Sequence, residues 1–190
     1  MGKTSEIRVC QVGAIALNHN LQELGTFNKF VNPLVAIDPR AQAVNGIDPD
    51  FVKNLDSWEI VGQNFMDWVK LFMPTAKTKV TLVAHNGKRY DARILVFENA
   101  RHNIDFVENI FNVDTLQIFK ELFPRQQNYK LGTVYKNQFH EPIPDQHTAL
   151  ADARAMQRLL GAAAPSVCCE KIIRLRESFD AITKRCMKGR

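Results

Sequence analysis

Across its 190 residues the chain has no apolar run approaching the ~20 residues that a bilayer-crossing helix needs. Its opening stretch, Met1-Gly-Lys-Thr-Ser-Glu, lacks the charged, apolar and small-residue regions of a secretory signal and leads straight into a strand-like run. Ser5 also falls one place too early for a myristoylation motif. Cysteine is scarce. Cys10, Cys168, Cys169 and Cys186 show neither the paired spacing of a zinc site nor that of a small disulfide framework, and a bridge between the neighbours Cys168 and Cys169 would be strained. Reduced thiols and an intracellular setting, cytoplasm or nucleus, are therefore expected. Internal repeats and low-complexity blocks are absent, which excludes solenoid and linker-type architectures.

What is present belongs to a folded protein. A hydrophobic fraction of 45% with 24% charged residues excludes disorder along the whole chain, and the length suits one domain, or one domain with a helical tail. The formal net charge of +5 suits a polyanionic partner such as nucleic acid, although charge alone does not require one.

The pattern along the chain alternates strands and helices. Residues 7–17 are rich in β-branched types and read as a strand, turning at Asn18-His-Asn20 to a hairpin partner over 26–31. Pro33 and Pro39 bracket an irregular connection, and Asn45 to Pro49 is turn chemistry. Ser57 is placed to cap a helix over 57–72, whose Val61, Phe65, Trp68, Val69 and Phe72 form one apolar stripe. The nearly continuous apolar run 80–84 reads as a strand covered on both faces. A helix over 91–103, a strand over 110–113 and a helix over 114–122 follow. A weaker helix covers 129–139, then a Pro142/Pro144 loop, a helix over 148–160 and a basic amphipathic tail helix over 166–187. The order of elements predicts an α/β fold with a mixed sheet.

Two segments carry chemistry. The strand ending at Ala84 delivers His85-Asn-Gly-Lys-Arg-Tyr-Asp91 to the carboxyl end of the sheet, where α/β proteins build their sites. Asp91 falls near a helix start, where its charge is favoured whether or not it has a further role. His147 and Asp152 bracket another helix start. If Thr148 is the cap, imidazole and carboxylate face one cavity, with Ala149 and Ala153 small enough for close packing. A histidine with a pKa near neutral suits a general base, and a carboxylate suits Mg²⁺ or Mn²⁺. The plainer alternatives are a surface histidine and an aspartate that complements the helix dipole.

Taken together, Ala84-His-Asn-x-x-x-Tyr-Asp91 and His147-x-Ala-x-x-Asp152 resemble the second and third motifs of the DEDDh-type, DnaQ-like 3′–5′ exonucleases of the ribonuclease-H-like superfamily. The likeness is nearest to the branch related to the promyelocytic leukaemia protein C-terminal region. Residues 7–14 are similar to the family's second strand, Val44-Asn-Gly-Ile47 to its Gly-Ile turn, and Val113-Asp-Thr-Leu116 to its Asp-Thr-Leu segment. The resemblance implies a ribonuclease-H-like mixed sheet flanked by helices and a two-cation phosphodiester hydrolysis in Mg²⁺ or Mn²⁺. It casts Asp91 and Asp152 as metal ligands and His147 as the base. Asn86, Lys88, Arg89 and Lys130 are then expected along a single strand of DNA or RNA.

The family's first motif, Asp-x-Glu at the end of a first strand, has no counterpart, and Met1-Gly-Lys-Thr-Ser-Glu aligns just past it. Two of four carboxylates are thereby missing. Without that strand, backbone groups are left unpaired or the sheet closes across the gap. An incomplete chain, a non-catalytic relative that binds nucleic acid or protein, and a partner-supplied strand are three accounts of this. The expected organisation is an exonuclease-like domain over 1–164 and a helical extension over 165–190. In a further reading the tail docks on a partner through Ile172, Leu175 and Phe179.

Overall fold

The computed structural model describes residues 6–163 and 165–188, the side chains of 165 and 166 excepted. Residues 1–5, which align just past the missing motif, lie outside the described residues. The chain enters an antiparallel hairpin of β1 (Gln11–Leu17) and β2 (Glu23–Phe30). Its turn is built by Asn18, whose side-chain oxygen accepts hydrogen bonds from the Asn20 and Gln22 amides. The expected irregular connection contains two short helices, α1 (Pro39–Asn45) and α2 (Pro49–Val52). Asp38 and Asp48 cap them, and the proline that follows each cap occupies the first helical position, where its missing N–H costs nothing. The Asp-Pro pairs were helix starts as much as turns.

Helix α3 (Trp58–Lys70) lays its apolar stripe on the hairpin, with Phe27, Phe65, Trp68 and Phe72 forming a chain of ring contacts. Ser57 stands at its N-cap position without a side-chain cap bond. β3 (Val80–Ala84) and β4 (Ile110–Asp114) are parallel, connected through α4 (Asp91–Arg101). Then follow α5 (Thr115–Leu122), α6 (Leu131–Phe139), α7 (Ala149–Gly161) and α8 (Pro165–Leu175). The C-terminal stretch expected as one helix is broken: β5 (Glu177–Ser178) pairs antiparallel with β4, and α9 (Phe179–Met187) follows. The Ser178 hydroxyl accepts from the Ala181 amide and starts the new helix, a cap signal hidden inside a continuous amphipathic pattern.

The molecule is α/β with a mixed sheet, and that sheet is in two pieces. Among the described residues the β1–β2 ladder does not continue into the β3–β4–β5 ladder. Helices α3 and α4 nevertheless join the two, because one core holds Phe27 and Val31 beside Val61, Phe65, Val96 and Phe179. A second core packs α5, α6, α7 and α8 around Phe119, Val134, Tyr135 and Leu159. Phe179 is 1% exposed and stacks on Phe106, while Ile172 and Leu175 pack against the second core. The tail surface proposed for a partner is therefore largely used inside the molecule. No helix among the described residues is long and apolar enough to cross a membrane.

Candidate active site

Asp91 is the first residue of α4, not its cap; Tyr90 occupies that position and makes no side-chain cap bond. The loop from Ala84 is tight. Asn86 has φ of +57°, Arg89 N donates to Asn86 O at 3.2 Å, and Ala92 N donates to Gly87 O at 2.9 Å. At α7, Thr148 is the cap as expected, its hydroxyl accepting from the Ala151 amide at 3.3 Å. Asp152 sits in the first turn, and the His147 amide lies 3.5 Å from its Oδ1. His147 itself has φ of +79°, a left-handed conformation that a non-glycine residue adopts at a cost of roughly 1–3 kcal/mol unless its surroundings hold it there.

The charge of Asp152 reaches Asp91. The Asp91 carboxyl is held above its ordinary value, first by desolvation and then by the negative charges of Asp114 and Asp152, against which its own amide and His85 act. The residue as a whole is nonetheless exposed to solvent, although protein surrounds it closely. Asp152 is also raised, again chiefly by desolvation, with the His147 amide and the charges of His147 and His85 opposing. His147 and Asp152 are thus neighbours at the start of α7, and Asp91 is linked to Asp152 through charge alone.

The sequence pattern did not single out two further members. His85 is clamped: its Nε2 donates to the Tyr129 carbonyl at 2.7 Å, its Nδ1 lies 2.9 Å from the Thr115 hydroxyl, and its ring stacks on Phe119. A carbonyl only accepts, so Nε2 carries the hydrogen. Asp114 accepts from Leu116 N at 2.9 Å, capping α5, and from Lys88 N at 3.2 Å, tying down the loop that presents Asp91. Both sit inside motif segments, yet only the third dimension shows what they face.

The basic residues divide. Lys88 Nζ lies 3.9 Å from Glu177, so its ammonium leans on β5. Arg89 stands over the Tyr90 ring at 5.8 Å, and Lys130 is exposed at the N-cap of α6. Asn86 holds the turn through its backbone.

Carboxylate oxygens suit Mg²⁺ or Mn²⁺, and two desolvated acids with raised pKa values make a place where a cation relieves repulsion. Among the described residues no group of three or more His, Cys, Asp or Glu is close enough to hold a metal ion. Two carboxylates would need water and substrate phosphate to complete the shell of even one cation, and they do not suffice for a second.

Comparison with known proteins agrees with this architecture. The sequence model of the family described as Exonuclease (RNase_T) matches residues 2–160. The chain belongs to that family, and its domain is of the DEDD, DnaQ-like type. It is 29% identical over 147 residues to a PolC-type DNA polymerase III of Caldanaerobacter subterraneus, covering 77% of this chain and 10% of that protein. Against the DNA polymerase III subunit epsilon of Buchnera aphidicola (Baizongia pistaciae) it is 23% identical, covering 80% and 60% respectively. Three-prime repair exonuclease 1 of Bos taurus is 30% identical over 102 residues, covering 49% of this chain and 32% of that protein. The chain spans about a tenth of the length of the PolC-type relatives it matches. A solved structure titled as 3′-end specific recognition of histone mRNA stem-loop by 3′-exonuclease superimposes with a TM-score of 0.64 at 16% identity. That match covers 80% of this chain and 69% of the other and fixes the ribonuclease-H-like fold.

Proposed function

We propose that this chain is a metal-dependent 3′–5′ exonuclease acting on single-stranded ends of DNA or RNA. The observation that supports it is the placement of Asp91 as the first residue of α4, in the connection that follows β3, and of Asp152 in the first turn of α7 with the His147 amide 3.5 Å from its Oδ1. Asp91 and Asp152 would hold a Mg²⁺ or Mn²⁺ ion together with the scissile phosphate. Bound there, the ion would neutralise phosphate charge and polarise the phosphorus–oxygen bond. His147 takes a proton from a water whose oxygen attacks phosphorus. The bond to the 3′ oxygen breaks, that oxygen takes up a proton from solvent, and a nucleoside 5′-monophosphate leaves. Arg89 and Lys130, with exposed cationic groups, and the Asn86–Lys88 loop would meet the strand.

The test is release of mononucleotides from uniformly labelled single-stranded DNA and RNA in Mn²⁺. His147→Ala should slow it about 10²–10⁴-fold, the usual worth of a general base. Asp91→Ala should abolish it. Full activity in either variant overturns the assignment. One observation favours a second reading: the described donor set stops short of three. In that reading the domain binds single strands without cutting them, and the same assay gives no release while binding weakens steeply with salt.

A further inference from the structure

The N-terminal turn of α7, which carries His147 and Asp152 at its margins, rests on β1 more closely than any side chain would allow. A Cβ added at Gly13 would lie 2.4 Å from Leu150 N, 2.6 Å from the Ala149 carbonyl carbon and 2.8 Å from the Leu150 Cα. All three are backbone atoms, so no rotamer change can relieve the clash. Two residues back on the same face of the strand, Gln11 reaches the same turn. Its Oε1 accepts from the Ala149 amide at 3.1 Å, across 138 positions of sequence, and satisfies one of the helix's orphan N–H groups. The amide cannot turn over freely, because its Nε2 donates to Asn28 Oδ1 on β2 at 3.1 Å.

We propose that Gly13 and Gln11 are positioning residues, a seat on β1 that fixes where the start of α7 holds His147 and Asp152. The inference rests on the reading of those two residues as base and ligand. It adds a requirement that the hairpin be intact beneath them. A methyl group at residue 13 must displace the helix end by about 1 Å to restore ordinary carbon contacts. A misplacement of that size can cost about 100-fold in rate. The strained His147 backbone moves with the turn, since its amide faces Asp152.

The experiment compares Gly13→Ala with Gly161→Ala, at the opposite end of the same helix, where an added Cβ meets nothing within 4 Å. Each variant is assayed for hydrolysis in Mn²⁺ and for the imidazole NMR signal of His147, assigned by its loss in His147→Ala. Gly13→Ala should lower kcat about 100-fold with KM within about threefold, and should shift the His147 signal while His102 on α4 stays put. Gly161→Ala should change neither. Should Gly13→Ala fail to fold, Gln11→Leu removes the hydrogen bond without a clash and must still shift the signal. Gln11→Glu, which keeps an acceptor while Asn28 turns over to donate, must restore it. An unmoved His147 signal in folded Gly13→Ala or in Gln11→Leu overturns the proposal. A wild-type chain that hydrolyses nothing sinks the functional reading alone, and the imidazole signal still decides the seat.

Discussion

The two pieces of the sheet serve the candidate site in opposite ways. In the β3–β4–β5 piece, strands deliver chemistry at their carboxyl ends: Asp91 lies just past β3, and Asp114 closes β4. The β1–β2 hairpin sends no charged group there, yet its face carries the helix that holds Asp152. One piece supplies side chains by chain connectivity, and the other supplies a surface by contact. Catalytic residues of the first kind can be found by reading along the chain; supports of the second kind cannot.

The largest effect should come from the tail that closes the β3–β4–β5 piece. Phe179→Ala removes a ring 1% exposed in the main core and should cost about 3–5 kcal/mol, measured by urea unfolding. A loss below 1 kcal/mol would mean the tail is a loose appendage. Next comes the candidate site itself. With Mn²⁺ at a hundredfold excess over its Kd, the wild type should gain about 2.7 kcal/mol, or roughly 5–10 °C in Tm, and Asp91→Asn should gain almost none. Without cation the pH dependence has a definite sign. Asp91 and Asp152 have folded values raised above 3.8, so the native state binds more protons than the unfolded chain through that window. Their contribution is most favourable below about pH 4 and declines as pH rises through the folded values. Asp91→Asn should therefore be the more stable protein at pH 7, and its advantage should vanish below pH 4; an advantage that persists there would refute the cause assigned.

Smaller effects fall on the hairpin side. Thr148→Ala removes the α7 cap and should cost about 1 kcal/mol by the same unfolding measurement. The Arg154–Glu23 pair, 3.0 Å apart and largely exposed, also joins α7 to the hairpin. Arg154→Ala should cost at most about 1 kcal/mol, less in high salt. A larger loss would shift credit for the seat from Gly13 and Gln11 to that ion pair.

Much of this arrangement was legible beforehand. Period-3.6 stripes placed α3 and α7, the apolar run placed β3, and the spacing of His147 and Asp152 placed both at the start of α7. The α/β fold and the exonuclease family followed from the same motifs. Other features had no local signature. The break at Arg176 lies within an unbroken amphipathic pattern, and only the pairing of β5 with β4 reveals it. On α4 the buried face runs through Ala92, Val96 and Phe97, with Ile94 and Leu95 only partly covered, because Glu98 and Asn99 turn inward. Glu98 is buried against Arg101 at 2.9 Å, and Asn99 accepts from the Trp58 indole at 3.0 Å. His85 looked like a motif letter until its ring was seen held between Thr115 and Tyr129. Contacts between residues more than a hundred positions apart leave no periodicity to read.

The interruption between the ladders has a consequence for handling the protein. Outward-facing amides of β1 and β3, with no strand beside them among the described residues, should exchange with deuterium sooner than those facing β2 and β4. At high concentration those same rows are templates for edge-to-edge association, so the protein's solubility depends on how little time two such borders spend aligned.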